Sequence, residues 1–159
     1  MQLTIREAIL ADLPAVRPLF PRLADFEIPP HRNSDDLWQG DLELLERWGR
    51  GDTANCFVLV AIDETAQVLG VSMTTLREEF LSHEPSAHLE VLAVAESAEG
   101  QGVGGALIDK TEKMSQERGA QSVTLHVFGN NVRARGLYKH VGYGEELIRC
   151  IKHFHKEIK

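Results

Sequence analysis

Two short stretches of this 159-residue chain carry residue types that could do chemistry. The first is "HLEVLAV", residues 88 to 94, an apolar strand interrupted by His88 and Glu90. Strand alternation puts His88, Glu90 and Leu92 on one face and Leu89, Val91 and Ala93 on the other. A central strand of a mixed sheet is normally apolar on both faces, so two titratable groups side by side need a reason. One reason is proton transfer: either group could take a proton from a nucleophile. The other is that the pair faces a solvated edge or satisfies itself.

The second stretch is "SAEGQGVGGALIDK", residues 97 to 110, a glycine-rich loop entering a helix. Gly100, Gly102 and Gly105 match G-x-G-x-x-G, the dinucleotide fingerprint. That site needs its first glycine directly after the strand and an acid about twenty residues on, for the ribose. Here "AESAE" separates Val94 from Gly100, and "SVTLHVFGNN" carries no acid at its tip. The spacing argues against NAD. The run Gly100, Gln101, Gly102, Val103, Gly104, Gly105 still offers successive N–H groups at a helix N-terminus, which is an anion site that a pyrophosphate can approach closely.

The elements that must position these residues follow from periodicity. "LTIREAI" (3 to 9) reads as a strand, and Asp12 and Pro14 open a helix carrying Val16, Leu19, Phe20 and Leu23. "EIPPHRNS" is a loop, and a second helix runs from about Asp35 to Trp48. "NCFVLVAI" and "VLGVSMTTL" form a hairpin, and "REEFLSHEPSA" (77 to 87) reads as a loop. After strand 88 to 94 come the glycine loop and a helix to Arg118, closed by Gly119. "SVTLHVF" is a strand parallel to the one at 88 to 94, "NNVRARGLYKHVG" a helix, and "GEELIRCIKHF" (144 to 154) a last strand. The expected fold is α/β, a mixed central sheet flanked by helices, in one domain over residues 1 to 159.

Two motifs in order resemble the GNAT superfamily of N-acetyltransferases. "LAVAESAEGQGVGGALI" resembles the family's Gln/Arg-x-x-Gly-x-Gly acyl-CoA loop, with Gly102 and Gly104 at the glycine positions and Leu92-Ala93-Val94 ahead of it. Glu99 stands where the family has Gln or Arg. "NVRARGLYKHVGY" resembles N-x-x-A-x-x-L-Y-x-x-x-G-F/Y, with Asn131, Ala134, Leu137, Tyr138, Gly142 and Tyr143 in place. The resemblance implies acetyl-CoA as co-substrate, held by residues 92 to 94, 100 to 105, Asn131 and Tyr138. It implies Glu90 or His88 as the base, often through water, and Tyr138 as a phenol near its free pKa that protonates the departing thiolate. The backbone N–H of Leu92, freed where its strand bulges, would meet the oxyanion. Family members often form homodimers.

Composition narrows the partners. A net charge of −7 does not suit a general nucleic-acid binder. No apolar run is long enough for a membrane span, the N-terminus lacks a signal-peptide core, and a cytoplasmic protein is expected. Cys56 and Cys150 read as buried strand thiols; His126 reads as a sheet histidine, and His153 and His155 lie in a charged tail. Nothing in the His and Cys spacing predicts a metal site. The loops at 26 to 36 and 77 to 87 carry Glu27, Asp35, Asp36, Glu78, Glu79 and Glu84 against Arg32 and Arg77, which points to a small cationic amine as acceptor. A protein or peptide amine is the alternative acceptor, and a non-catalytic acyl-CoA sensor the alternative activity.

Overall fold

The computed structural model describes residues 2–154; His155 lies outside them. Five strands form one sheet in the order β1-β2-β3-β4-β5: Thr4–Glu7, Cys56–Ile62, Val68–Glu78, Pro85–Val94 and Val123–Leu125. The first four are an antiparallel meander, and β5 joins β4 in parallel after a helical crossover.

The apolar runs of the middle strands bury both faces. Val58, Val60, Val71, Met73, Val91 and Ala93 pack on one side under Val16, Leu19, Phe20 and Leu45. Phe57, Leu59, Ala61 and Leu69 pack on the other under Val103, Leu107 and Met114 of α3 (Val103–Glu117). Gly70 lets α3 sit this close: a Cβ there would meet Val103 Cγ1 at 2.9 Å and Leu107 Cδ1 at 3.0 Å.

The first predicted helix is mostly not α-helical. Only α1 (Leu13–Val16) is regular, and Arg17–Ala24 winds as a 3₁₀ helix, because Pro18 and Pro21 remove backbone donors. Asp12 serves the helix start differently from a simple cap, accepting from the Ile9 N–H at 2.8 Å and holding Arg6 bidentately at 2.7 and 2.9 Å. The second helix begins as a 3₁₀ turn at Ser34–Leu37 and becomes α2 over Gln39–Gly49. Gly119, at φ +93°, closes α3 as expected.

Three expectations are corrected. The segment 77 to 87 is strand at both ends: Arg77 and Glu78 end β3, Pro85 to Ala87 begin β4, and 79 to 84 turn between them. The last predicted strand, 144 to 154, is irregular and exposed, with Leu147, Ile148, Ile151 and Phe154 in solvent. An alternating pattern needs an edge to pair with, and the final strand of this sheet, β5, is 3 residues long. Cys150 is therefore exposed rather than a buried strand thiol, while Cys56 is half-buried in β2. No helix among the described residues is long and apolar enough to cross a membrane.

Candidate active site

The site is built around a fault in β4. Met73 pairs with Val91 and Thr74 with Leu89, so Glu90 is an extra residue with no partner on β3. This bulge resets the alternation. Thr75, opposite His88, shares its face with Met73, so His88 and Glu90 lie on the side of Val91 and Ala93. Leu92 lies on the other side, with Val94 and α3. The expected grouping of Leu92 with His88 and Glu90 is therefore wrong, because a bulge invalidates a period-two count.

On its other edge β4 loses its neighbour. The ladder to β5 ends at Leu89–Leu125, so among the described residues the backbone of 90 to 94 has no strand on that side. Ala95 donates to Leu69 of β3, so by alternation the N–H and C=O of Leu92 point to the open edge, as does the Val94 carbonyl, which accepts from Arg22 Nε at 3.1 Å.

Glu90 is half-buried. Its Oε1 accepts from Thr75 Oγ1 at 2.7 Å and from Arg77 Nη2 at 3.1 Å. Asp41, which sequence reasoning passed over, faces it. Asp41 lies one turn before the fully buried Leu45 on α2, on the stripe that covers this face of the sheet. Burial, and then the Glu90 charge, push the Asp41 carboxyl up to about 6. Cys56, opposite Thr75, lines the same patch, and burial and Glu90 push its thiol up to about 11. The only signal of Asp41 in the sequence is an acid at a position of α2 that points inward, which needs the helix register to be seen.

His88 is buried, and its Nδ1 lies 2.7 Å from Thr124 Oγ1. Burial, then Arg77 and His126, outweigh Glu90 and drive its pKa down to about 4. His126 is exposed beyond the end of β5, not within the sheet, with its ring edge-on to His88 at 4.8 Å. The loop at 26 to 33 crosses this side, with Phe26 against Phe128 and His31 against His153.

The glycine loop lies beyond the end of β4. Gly100 and Gly102 have φ of +74° and +82°, which glycine adopts without strain, and a Cβ on either would meet nothing within 4 Å. Gly102 is the N-cap of the 15-residue α3, so the first N–H groups of that helix, from Val103 on, open toward this space. Gln101 turns back, its Nε2 donating to the Ser97 carbonyl at 3.2 Å. Gly105 also has free space around it, but Gly104 does not: a Cβ there would lie 3.2 Å from Leu137 Cδ2. Gly104 admits α4 (Val132–His140), not a ligand. Asn131 caps α4 by accepting from the Ala134 N–H at 3.2 Å.

Tyr138 stands on α4, its ring 6.0 Å from that of Tyr143. Burial pushes its phenol up to about 12, so it is not near its free pKa. Glu99 has both carboxylate oxygens in ion pairs. Its carboxylate is held by Arg133 at 2.8 Å and by Arg22, and these two guanidiniums keep it below the usual carboxylate range. Among the described residues no group of three or more His, Cys, Asp or Glu is placed to hold a metal ion.

Residues 20–143 match the Acetyltransferase (GNAT) family. A mycothiol acetyltransferase of Renibacterium salmoninarum is 32% identical over 71% of this chain, and the chain spans about one third of that protein's length (33%). The uncharacterized N-acetyltransferase YhfO of Bacillus subtilis is 26% identical, with 91% of each chain covered. Among solved structures, the aminoglycoside acetyltransferase meta-AAC0020 from a soil metagenome, in complex with sisomicin, superposes with a TM-score of 0.69 at 23% identity over 97% of each chain.

Proposed function

The chain belongs to the GNAT acetyltransferase family, and from that premise we propose that it transfers the acetyl group of acetyl-CoA directly to a small cationic amine. The observation that carries this reading is the bulge at Glu90. It sets a half-buried carboxylate, with its Oε1 doubly bonded and its Oε2 without a partner among the described residues, beside the unpaired edge of β4.

Acetyl-CoA supplies the activated acetyl group as a thioester. The open space before Gly100 and Gly102, together with the N-terminus of α3, fits its diphosphate. Residues 92 to 94, 100 to 103 and 105, with Asn131 and Tyr138 on the α4 side, line the path proposed for the rest of the molecule. The N–H of Leu92, on the open edge of β4, is the donor for the thioester oxygen.

Glu90 takes the proton from the acceptor ammonium, directly or through water. His88 fits that role less well, since a ring held neutral down to about pH 4 is a weak base; it orients the strand edge through Thr124 instead. Tyr138 donates a hydrogen bond to the leaving sulfur. A phenol at about 12 is less acidic than an ordinary thiol by roughly 3.5 units, so full proton transfer to a free thiolate is uphill.

A cationic acceptor is supported by Asp41 and Glu90 more than by the loop acids. Glu79 is occupied by the Leu81 and Ser82 N–H groups, Asp36 by the Asn33 N–H, and Glu78 by His83. Asp41 and Glu90 put two carboxyl groups at the acceptor side of β4. The sequence likeness to a mycothiol acetyltransferase is a further support for a small-molecule acceptor.

Initial-rate kinetics, following thiol release across a panel of polyamines, aminoglycosides and peptide amines, tests the reading. Intersecting double-reciprocal lines with a polycationic amine are expected, as for a ternary complex. Parallel lines would exclude direct attack. Turnover confined to peptides would move the acceptor to proteins, and CoA binding without turnover on any amine would make the chain a sensor.

A further inference from the structure

Glu99 poses a problem for the site as proposed, because it places a carboxylate where an acyl-CoA loop of this family carries Gln or Arg. The side chains around it resolve the problem. Arg22 engages three partners: Nε the Val94 carbonyl at 3.1 Å, Nη1 Asp25, and Nη2 Glu99 Oε1. Its side chain is 20% exposed. Arg133, in the first turn of α4, reaches Glu99 Oε2 through Nη1 at 2.8 Å. Its side chain is 67% exposed, and Glu99 is the partner it has among the described residues. A guanidinium has five N–H donors, so Arg133 can keep Glu99 and still bind a second anion. Glu99 directly precedes Gly100, so this ion pair holds the Arg133 guanidinium beside the start of the glycine loop.

Resting on the proposed use of acyl-CoA, we propose that Arg133 is the side chain that binds the acyl-CoA diphosphate and that Glu99 is its positioning residue. The cation absent from position 99 is thus supplied from α4. Arg22 fixes Glu99 and Glu99 fixes Arg133, and the same two ion pairs neutralise the carboxylate beside the loop. Arg22, Arg133, Asp25 and Glu99 sum to zero charge, so a bound diphosphate is met by one available guanidinium and the main-chain donors, in a chain of net charge −7.

The test is calorimetric titration of CoA, inorganic diphosphate and pantetheine into wild type, Arg133→Gln, Arg133→Lys, Glu99→Gln and the double variant Glu99→Gln/Arg133→Gln, with melting curves alongside. Arg133→Gln is expected to weaken CoA and diphosphate about tenfold, as for loss of a charge-assisted contact, and to leave pantetheine affinity in place. Arg133→Lys should recover part of the loss. Glu99→Gln should weaken CoA by a smaller factor, and the double variant should be no weaker than Arg133→Gln alone. The proposal is overturned if Glu99→Gln tightens CoA binding, if Arg133→Gln leaves CoA affinity within about twofold, or if CoA and pantetheine weaken equally, as they would if the ion pair only staples the loop to α4. Wild type that binds no CoA would instead overturn the reading of the whole site.

Discussion

The two sides of β4 are built on different principles. On the loop side the working groups are main-chain amides, placed by glycines at positive φ and by the start of α3. On the acceptor side they are titratable side chains, Glu90, His88 and Asp41, brought together from β4 and α2 across a bulge. A main-chain site needs residue types that allow a conformation, and its chemistry tolerates side-chain change. A side-chain site needs the residues themselves in a particular environment, and that environment shifts their pKa values in opposite directions, Asp41 up and His88 down. Substitutions should therefore cost rate on the acceptor side and geometry on the loop side.

The largest effect is expected at Glu90. Glu90→Gln keeps the bonds to Thr75 and Arg77 in part and removes the base, so kcat/KM at neutral pH should fall by about 10²- to 10⁴-fold. A loss below about threefold, measured with the best amine of the panel, would move the base elsewhere.

Asp41→Asn should show a trade-off. The native carboxyl, at about 6, is above its unfolded value of 3.8, so ionising it costs stability. That cost is absent below pH 3.8, grows between 3.8 and 6, and is complete above 6. Two units correspond to at most about 3 kcal/mol, and partial solvation reduces it. Melting curves should show Asp41→Asn several degrees more stable than wild type at pH 7.5 and equal to it near pH 3.5. The same variant should lose about tenfold in kcat/KM for a polycationic amine and less for a monoamine. Equal losses for both acceptors would remove Asp41 from acceptor recognition.

On the loop side, Gly104→Val places its side chain against Leu137, not in the open space before the loop. It should cost about 1–3 kcal/mol in denaturant unfolding by displacing α4. CoA affinity should weaken indirectly, through Asn131 and Tyr138. Gly102→Ala, strained at φ +82° but with free space, should separate the two effects. A Gly104→Val protein with wild-type stability would contradict the packing.

Tyr138→Phe should be the mildest, under about tenfold in kcat, because a phenol at about 12 assists by hydrogen bonding and not by complete transfer. A pre-steady-state burst measurement would show whether even this loss lies in the chemical step.

This contrast also explains what could be read in the sequence. Gly102 and Gly119 announce themselves because their left-handed backbone angles favour glycine, and the apolar runs of β2 and β3 fix a sheet buried on both faces. Tyr138 and Asn131 stand out by their spacing on one helix. Asp41 does not, because its role comes from a tertiary contact with a strand nearly fifty residues away. Leu92 is placed on the wrong face because a bulge leaves no mark in a period-two pattern. The segment 144 to 154 carries strand propensity without an edge to pair with. Gly104 looks like a ligand contact because its partner Leu137 belongs to an element more than thirty residues on.

The central claim is that Glu90, exposed by the bulge, takes the proton from the acceptor. The most direct measurement is the pH profile of kcat/KM for wild type and Glu90→Gln with one amine, acetyl-CoA saturating. The account predicts a deficit that is largest at low pH and shrinks as pH rises, because an amine already neutral needs no base. A Glu90→Gln profile parallel to wild type across the whole acidic limb would contradict it.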